Sequence, residues 1–166
     1  HQDIAFITGS MDSPTAIERL SGYKDALTAA GLPVRESLIV QGKWSPASGA
    51  AAVSVLLGGD HAFSAIVVSN DEMAIGAMKQ LSDAGIKVPD AVSVIGFDNI
   101  PTAPFLIPAL SSVKDPVSDM VSEVINQIIS MLDGGYLSEK NQFTSDLILR
   151  DSVADGPFYS PDKNRA

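Results

Sequence analysis

The sequence predicts an α/β protein whose doubly wound parallel sheet is flanked by helices. Two observations carry that expectation. Short runs such as Ala65-Ile66-Val67-Val68 are apolar throughout, as strands covered on both faces are. Between them lie longer segments bounded by helix start and stop signals, and regular strand–helix alternation means parallel pairing through crossovers. The 166 residues are 45% hydrophobic, enough for one packed domain and too much for a disordered chain.

In chain order, Ile4–Ile7 is the first strand. Ser13-Pro14 then reads as a helix N-cap followed by proline in the first turn. Leu38–Val40 is the second strand, and Ser45-Pro46 repeats the same start signal. Ala65–Ser69 is the third strand, after which Asn70-Asp71 caps a helix. Val92–Phe97 is the fourth. Gly31, Gly58 and Gly85 are expected to stop the three helices in left-handed conformation. From Asn99 to Lys114, prolines 101, 104 and 108 and the lack of helical period predict a loop and then a crossover. Asp115-Pro116 is expected to cap a further helix that ends at Gly134-Gly135, with Leu147–Leu149 as a last strand. In that helix Val117, Met120, Val121, Val124, Ile125, Ile128, Ile129, Met131 and Leu132 fill about half the circumference. Burying all nine would be worth about 13–27 kcal/mol, so the helix calls for a large apolar partner, by packing back on the sheet or by self-association. The polar, proline-broken residues from Asp155 to Ala166 read as a frayed tail.

Composition narrows the function classes. A formal charge of −9, with 11 scattered basic residues, repels a phosphate backbone, so this chain alone should not bind DNA. Zero cysteines exclude disulfides and thiolate metal sites. The longest apolar runs are strand-sized, which excludes a membrane-spanning helix. His1-Gln2-Asp3-Ile4 has no signal-peptide core and enters a strand almost at once, as a cut inside a larger protein would. A glycine-rich dinucleotide fingerprint, a phosphate loop, a Gly-x-Ser-x-Gly elbow and a His-Glu-x-x-His pair are all missing. His1 and His61 are the only histidines. No cofactor, metal or enzyme activity is expected; the pattern is that of a binding module.

Two strands end in polar residues: Ser69-Asn70-Asp71 after the third, and Gly96-Phe97-Asp98 after the fourth. In an open parallel sheet those ends form the rim where small molecules bind. Asn70 offers an amide that both donates and accepts, and Asp98 a carboxylate acceptor, although either residue also suits a cap or a turn. Arg19 falls at about 140° on the first helical wheel, beside Ala26 and Ala30 at the edge of the buried arc. It is either a ligand donor that pairs a rim carboxylate such as Asp98, or an arginine lying over apolar surface. Trp44, the only tryptophan, lies in the loop after the second strand, where it packs or offers a flat face to a sugar ring. Ile75 lies out of phase with the buried face of its helix.

At these positions the chain resembles the LacI/GalR family of sugar- and purine-responsive bacterial regulators. The resemblance runs from about Ile4 to Ser152 through Phe6-Ile7-Thr8-Gly9, Arg19-Leu20-Ser21-Gly22-Tyr23, Ser69-Asn70-Asp71, Ala84-Gly85-Ile86-Lys87-Val88-Pro89, Gly96-Phe97-Asp98 and Pro108-Ala109-Leu110-Ser111-Ser112-Val113. It implies a periplasmic-binding-protein-like type I core, with residues 1–112 as its C-terminal subdomain. Residues 113–145 would be a crossover and helix of the otherwise absent N-terminal subdomain, 146–154 a final strand and 155–166 a flexible tail. The resemblance implies effector contacts from Arg19, Trp44, Asn70 and Asp98, with Asp71 left as the helix cap. It also implies a homodimer seam at Ile75, Met78, Phe105 and Leu106. The implied function is a cytoplasmic repressor that senses a sugar or glycoside and grips operator DNA only through an absent helix-turn-helix headpiece. The rival is a periplasmic sugar-binding protein of a transporter; a nucleotide-using enzyme fragment is more distant.

Overall fold

The computed structural model of the protein describes residues 1–134 and 143–156. Its elements in order are β1 (Ile4–Thr8), α1 (Pro14–Ala29), a 3-10 turn (Glu36–Leu38), β2 (Ile39–Gln41), α2 (Pro46–Gly58), β3 (Ala65–Val68), α3 (Asp71–Asp83), β4 (Ser93–Phe97), β5 (Ser111–Lys114), α4 (Val117–Leu132) and β6 (Asp146–Ile148). A second 3-10 turn covers Ala103–Phe105. The strands form one sheet in the order β2-β1-β3-β4-β5-β6. The first five are parallel, and β6 runs antiparallel to β5 with Val113 opposite Leu147. The doubly wound class is as the sequence predicts.

One face of the sheet carries the larger core, where Ile7, Ile66, Val68 and Val94 meet Val53 and Leu56 of α2 and Met73, Ala77 and Leu81 of α3. Helices α2 and α3 meet backbone to backbone: a Cβ on Gly49 would stand 2.0 Å from the Met73 carbonyl oxygen, and one on Gly76 1.8 Å from that of Pro46. On the other face α1 lays Tyr23 and Leu27 over Phe6. The Phe6 and Tyr23 rings stack with centroids 4.7 Å apart, and the Tyr23 hydroxyl donates to the Ile4 carbonyl at 2.7 Å.

Ser13 and Ser45 are both extended N-cap residues before a proline, but only Ser45 caps with its side chain, in a reciprocal capping box with Ser48; the Ser13 side chain makes no cap hydrogen bond. Gly31 and Gly85 are left-handed at φ 68° and 72°. Gly58 is not. It stays in α2, whose C-cap is Gly59 at φ −81°. The segment from Asn99 to Lys114 also differs, because it ends in a true sheet strand, β5. Its sequence, Ser-Ser-Val-Lys, lacks an apolar run, yet Ser111 and Ser112 are fully buried. Both hydroxyls are satisfied there: Ser111 Oγ accepts from the Arg150 amide at 2.8 Å, and Ser112 Oγ donates to Asp71 at 2.7 Å. Beyond β6, Ser152 tucks under the sheet, its hydroxyl donating to the Val94 carbonyl and accepting from the Ser111 amide.

Pro116, not Asp115, precedes α4, and Asp115 makes no cap; its carboxylate is engaged elsewhere. No residue of α4 is buried, so the helix does not pack back on the sheet. Its apolar arc from Val117 to Leu132 stands exposed. Gly135 and most of the expected tail lie outside the described residues. His1 is placed: its ring bonds the Ser64 hydroxyl at 2.9 Å and the Ala154 carbonyl at 3.1 Å.

Candidate functional site

The strand order reverses direction between β1 and β3, since the chain steps from β1 out to β2 and returns to β3. Carboxyl ends of strands at such a point form a crevice open to ligands. The pairing of Val67 with Ile95 carries forward so that Asn70 and Asp98 stand level beyond β3 and β4.

Arg19 reaches this rim from the second turn of α1. One guanidinium nitrogen donates to the Ser69 carbonyl, and Nη2 lies 3.3 Å from both Asp98 Oδ1 and Asp115 Oδ2. The guanidinium carbon sits 3.6 Å above the centre of the Phe97 ring. The side chain is only 16% exposed, so these contacts are partly shielded from water. Arg19 therefore does pair with Asp98. Ala26 and Ala30, its expected neighbours on a buried arc, are exposed instead. The hydroxyl of Ser69, beside the Arg19 contact, is buried without a hydrogen-bond partner.

Asp98 is left-handed at φ 100° and Asn99 follows at φ 49°. The Asp98 amide donates to the Val113 carbonyl at 2.8 Å, and its carboxylate is accessible at the rim. Desolvation there raises its pKa above the ordinary carboxylate value; Arg19 opposes the shift, and Asp71 and Asp115 add to it.

The sequence leaves Asp71 as the cap and Asn70 facing the cleft, but it is Asn70 that caps, and Asp71 is buried away from the cleft. Asn70 is the N-cap of α3: its Oδ1 accepts from the Met73 amide at 2.9 Å, and its Nδ2 donates to the Trp44 carbonyl at 3.3 Å. It is 9% exposed, with both ends of its amide engaged within the chain. The physical reason is its extended backbone at φ −154°, ψ 164°, which turns the side chain back over the first helical turn. Asp71 is already helical and points away from that turn, into the protein. Its Oδ1 accepts from Ser112 Oγ at 2.7 Å and its Oδ2 from the Ile100 amide at 2.9 Å. Burial raises its pKa; the Ser112 and Ile100 hydrogen bonds and the charge of Arg150 work against the rise.

Trp44 is left-handed at φ 62° and half-buried. Its ring lies against Gly9, where a Cβ would come within 1.9 Å of the indole. Together, Trp44 with Asn70 and Arg19 with Asp98 are two bonded pairs along one edge. Of the four, Arg19 lines a recess of about 620 Å³ that also takes in Thr15, Glu18, Phe97, Asp115 and Ser145. Asp115 is the partner that sequence reasoning missed, because Asp-Pro before a helix imitates a cap. Ser112 appears in the sequence only as part of the Pro108–Val113 stretch; its bond to Asp71, 41 residues away, has no local signal.

Of the expected dimer residues, Ile75 and Met78 lie on α3, and Phe105 and Leu106 lie in the loop after β4. Ile75 is half-buried, not fully exposed, and Met78 belongs to the core. With Leu106, Ile86, Val88 and Ile107 they line a groove of about 610 Å³. Ile107 is 98% exposed, and beside the groove Phe105 is 83% exposed. Among the described residues, no group of three or more metal-ligating side chains is placed to hold an ion, and no helix is long and apolar enough to cross a membrane.

Comparison with known proteins agrees with this architecture. The family model of the periplasmic binding protein-like domain matches residues 1–153. The HTH-type transcriptional regulator AscG of Escherichia coli (strain K12) is 60% identical over 153 residues, 92% of this chain and 46% of that protein. The crystal structure of the Escherichia coli repressor ascG superimposes with a TM-score of 0.89 at 59% identity, over 93% of this chain and 56% of that one. The transcriptional regulator CelR in complex with cellobiose gives 0.79 at 31% identity, over 92% and 47%. This chain thus spans about half the length of the curated relatives it matches. It belongs to the periplasmic binding protein-like domain family, and the relatives it resembles include LacI-family regulators.

Proposed function

We propose that the chain is the C-terminal half of the effector-sensing core of a LacI-type repressor, a cytoplasmic protein that binds a small sugar or glycoside. The observation that carries this reading is Arg19 paired with Asp98 at the rim, level with Asn70. An arginine donor beside a carboxylate acceptor matches a hydroxyl, which both gives and takes a hydrogen bond. Trp44 adds an aromatic surface suited to the apolar face of a sugar ring. The CelR complex with cellobiose, a structural relative, supports a sugar as the ligand class.

In this reading residues 1–112 and 146–154 form one wall of the cleft, and α4 belongs to the facing subdomain, which its exposed apolar arc fits. Effector binding favours one arrangement of the two walls, and that preference alters the spacing of a DNA-binding headpiece carried elsewhere. The acidic chain itself takes no part in gripping the operator. Two copies pair through the groove at Ile75, Met78 and Leu106, with Phe105 at its edge. The alternative of a periplasmic binding protein for a transporter is less well supported, because the relatives named above are regulators.

The test is a titration of the complete regulator with cellobiose and a panel of mono- and disaccharides, followed by Trp44 fluorescence and thermal shift. Saturable binding abolished by Arg19→Ala or Asp98→Ala supports the reading. Binding that survives both changes ends it. The isolated chain, holding one wall, is expected to bind weakly or undetectably; micromolar affinity by calorimetry contradicts that.

A further inference from the structure

We infer that Asp71 is a positioning residue of the rim: its sealed carboxylate holds the turn after β4 in the conformation that sets Asp98 against Arg19. The consequence for effector binding rests on the function proposed above; the positioning itself does not.

Asp98 and Asn99 are successive left-handed residues with side chains, an arrangement disfavoured unless the surroundings impose it. The structure shows what imposes it. The Ile100 amide donates to Asp71 Oδ2 at 2.9 Å. The Asn99 amide donates to Ser112 Oγ at 3.0 Å, and that hydroxyl donates onward to Asp71 Oδ1 at 2.7 Å. Two consecutive amides of the turn are thus tied to one carboxylate, one directly and one through a hydroxyl. From the far side Arg150 Nη2 donates to Asn99 Oδ1 at 2.6 Å. Asp71 is 0% exposed, so its charge-assisted bonds are shielded from water. β4 leaves room for it only because residue 96 is glycine: a Cβ there would stand 2.0 Å from Asp71 Oδ1. An acidic residue in a first helical turn ordinarily serves its own helix; here Asn70 supplies the cap and Asp71 serves the neighbouring turn.

The test uses Asp71→Asn, near-isosteric, which offers an NH₂ to one of the two donors. Amide hydrogen exchange at Asn99 and Ile100 is measured against Ile66 and Val94 in the sheet, with the Arg19 Nε–H resonance as second readout. Exchange at both turn amides is expected to accelerate about tenfold or more, relative to the sheet amides. The Arg19 resonance should move in Asp71→Asn, yet Asp71→Asn should move it no further in an Asp98→Ala background. Ser112→Ala, a milder change, should loosen Asn99 and pass the same cycle, and it carries the test should Asp71→Asn fail to fold. An Arg19 resonance unmoved in folded variants, or moved equally with and without Asp98, overturns the inference. If the cycle holds but no sugar binds the complete regulator, the effector reading falls and the positioning role stands.

Discussion

A single nitrogen, Arg19 Nη2, lies 3.3 Å from Asp98 at the rim and 3.3 Å from Asp115, where the chain leaves β5 for α4. Asp115 in turn accepts from the Ser145 hydroxyl, at 3.1 Å, on the segment returning to β6. One guanidinium therefore joins the edge of the sheet to both strands of the crossover.

Replacing Arg19 with lysine should cost about 1–3 kcal/mol of unfolding free energy, since an ammonium cannot serve Ser69, Asp98, Asp115 and the Phe97 face together. Asp115→Asn should cost less than about 1 kcal/mol, its side chain being partly exposed. Urea denaturation of both variants checks the order; equal losses would argue against the shared role.

Asp71 also makes stability depend on pH. Its folded pKa is raised above the ordinary 3.8, chiefly by burial, so the folded state binds a proton more tightly than the unfolded one. Its contribution therefore grows as pH falls through the raised value towards 3.8 and is lost as pH rises again. The stability of the wild type minus that of Asp71→Asn should increase on acidification from pH 7, in paired urea titrations. A constant difference would show no such linkage.

Ile75→Glu and Phe105→Glu each place a charge in or beside the groove on the outer side of α3. Either change should shift sedimentation and light scattering of the complete regulator from dimer towards monomer. An unchanged molecular mass in both variants would remove this surface as the seam.

Because α4 buries no side chain against the sheet, Ile125→Lys with Ile129→Lys should leave the urea midpoint of the chain unchanged. The same pair should reduce concentration-dependent light scattering, as the apolar arc loses its stickiness. A fall in the midpoint would mean that the helix packs on the sheet in solution.

The first four strands and three helices were legible because apolar runs, the two Ser-Pro starts and the Asn70-Asp71 start each have one local cause. β5 was not: its buried positions are serines satisfied by Arg150 and by Asp71, partners 39 and 41 residues away in the chain. The same distance hid the roles at the rim. Asn70 and Asp71 are chemically interchangeable as caps, and only the extended backbone of residue 70 decides between them. Arg19 was legible as half-buried and near a carboxylate; that it has a second one in Asp115 depends on where β5 ends, which composition does not encode.

The contact of α2 with α3 through Gly49 and Gly76 bears on how this edge can yield. Trp44 stands just ahead of one helix and Asn70 caps the other, so the backbone contact of the helices fixes the spacing of these two residues. A side chain larger than hydrogen at residue 49 or 76 would therefore force the helices, and the two rim residues at their starts, apart.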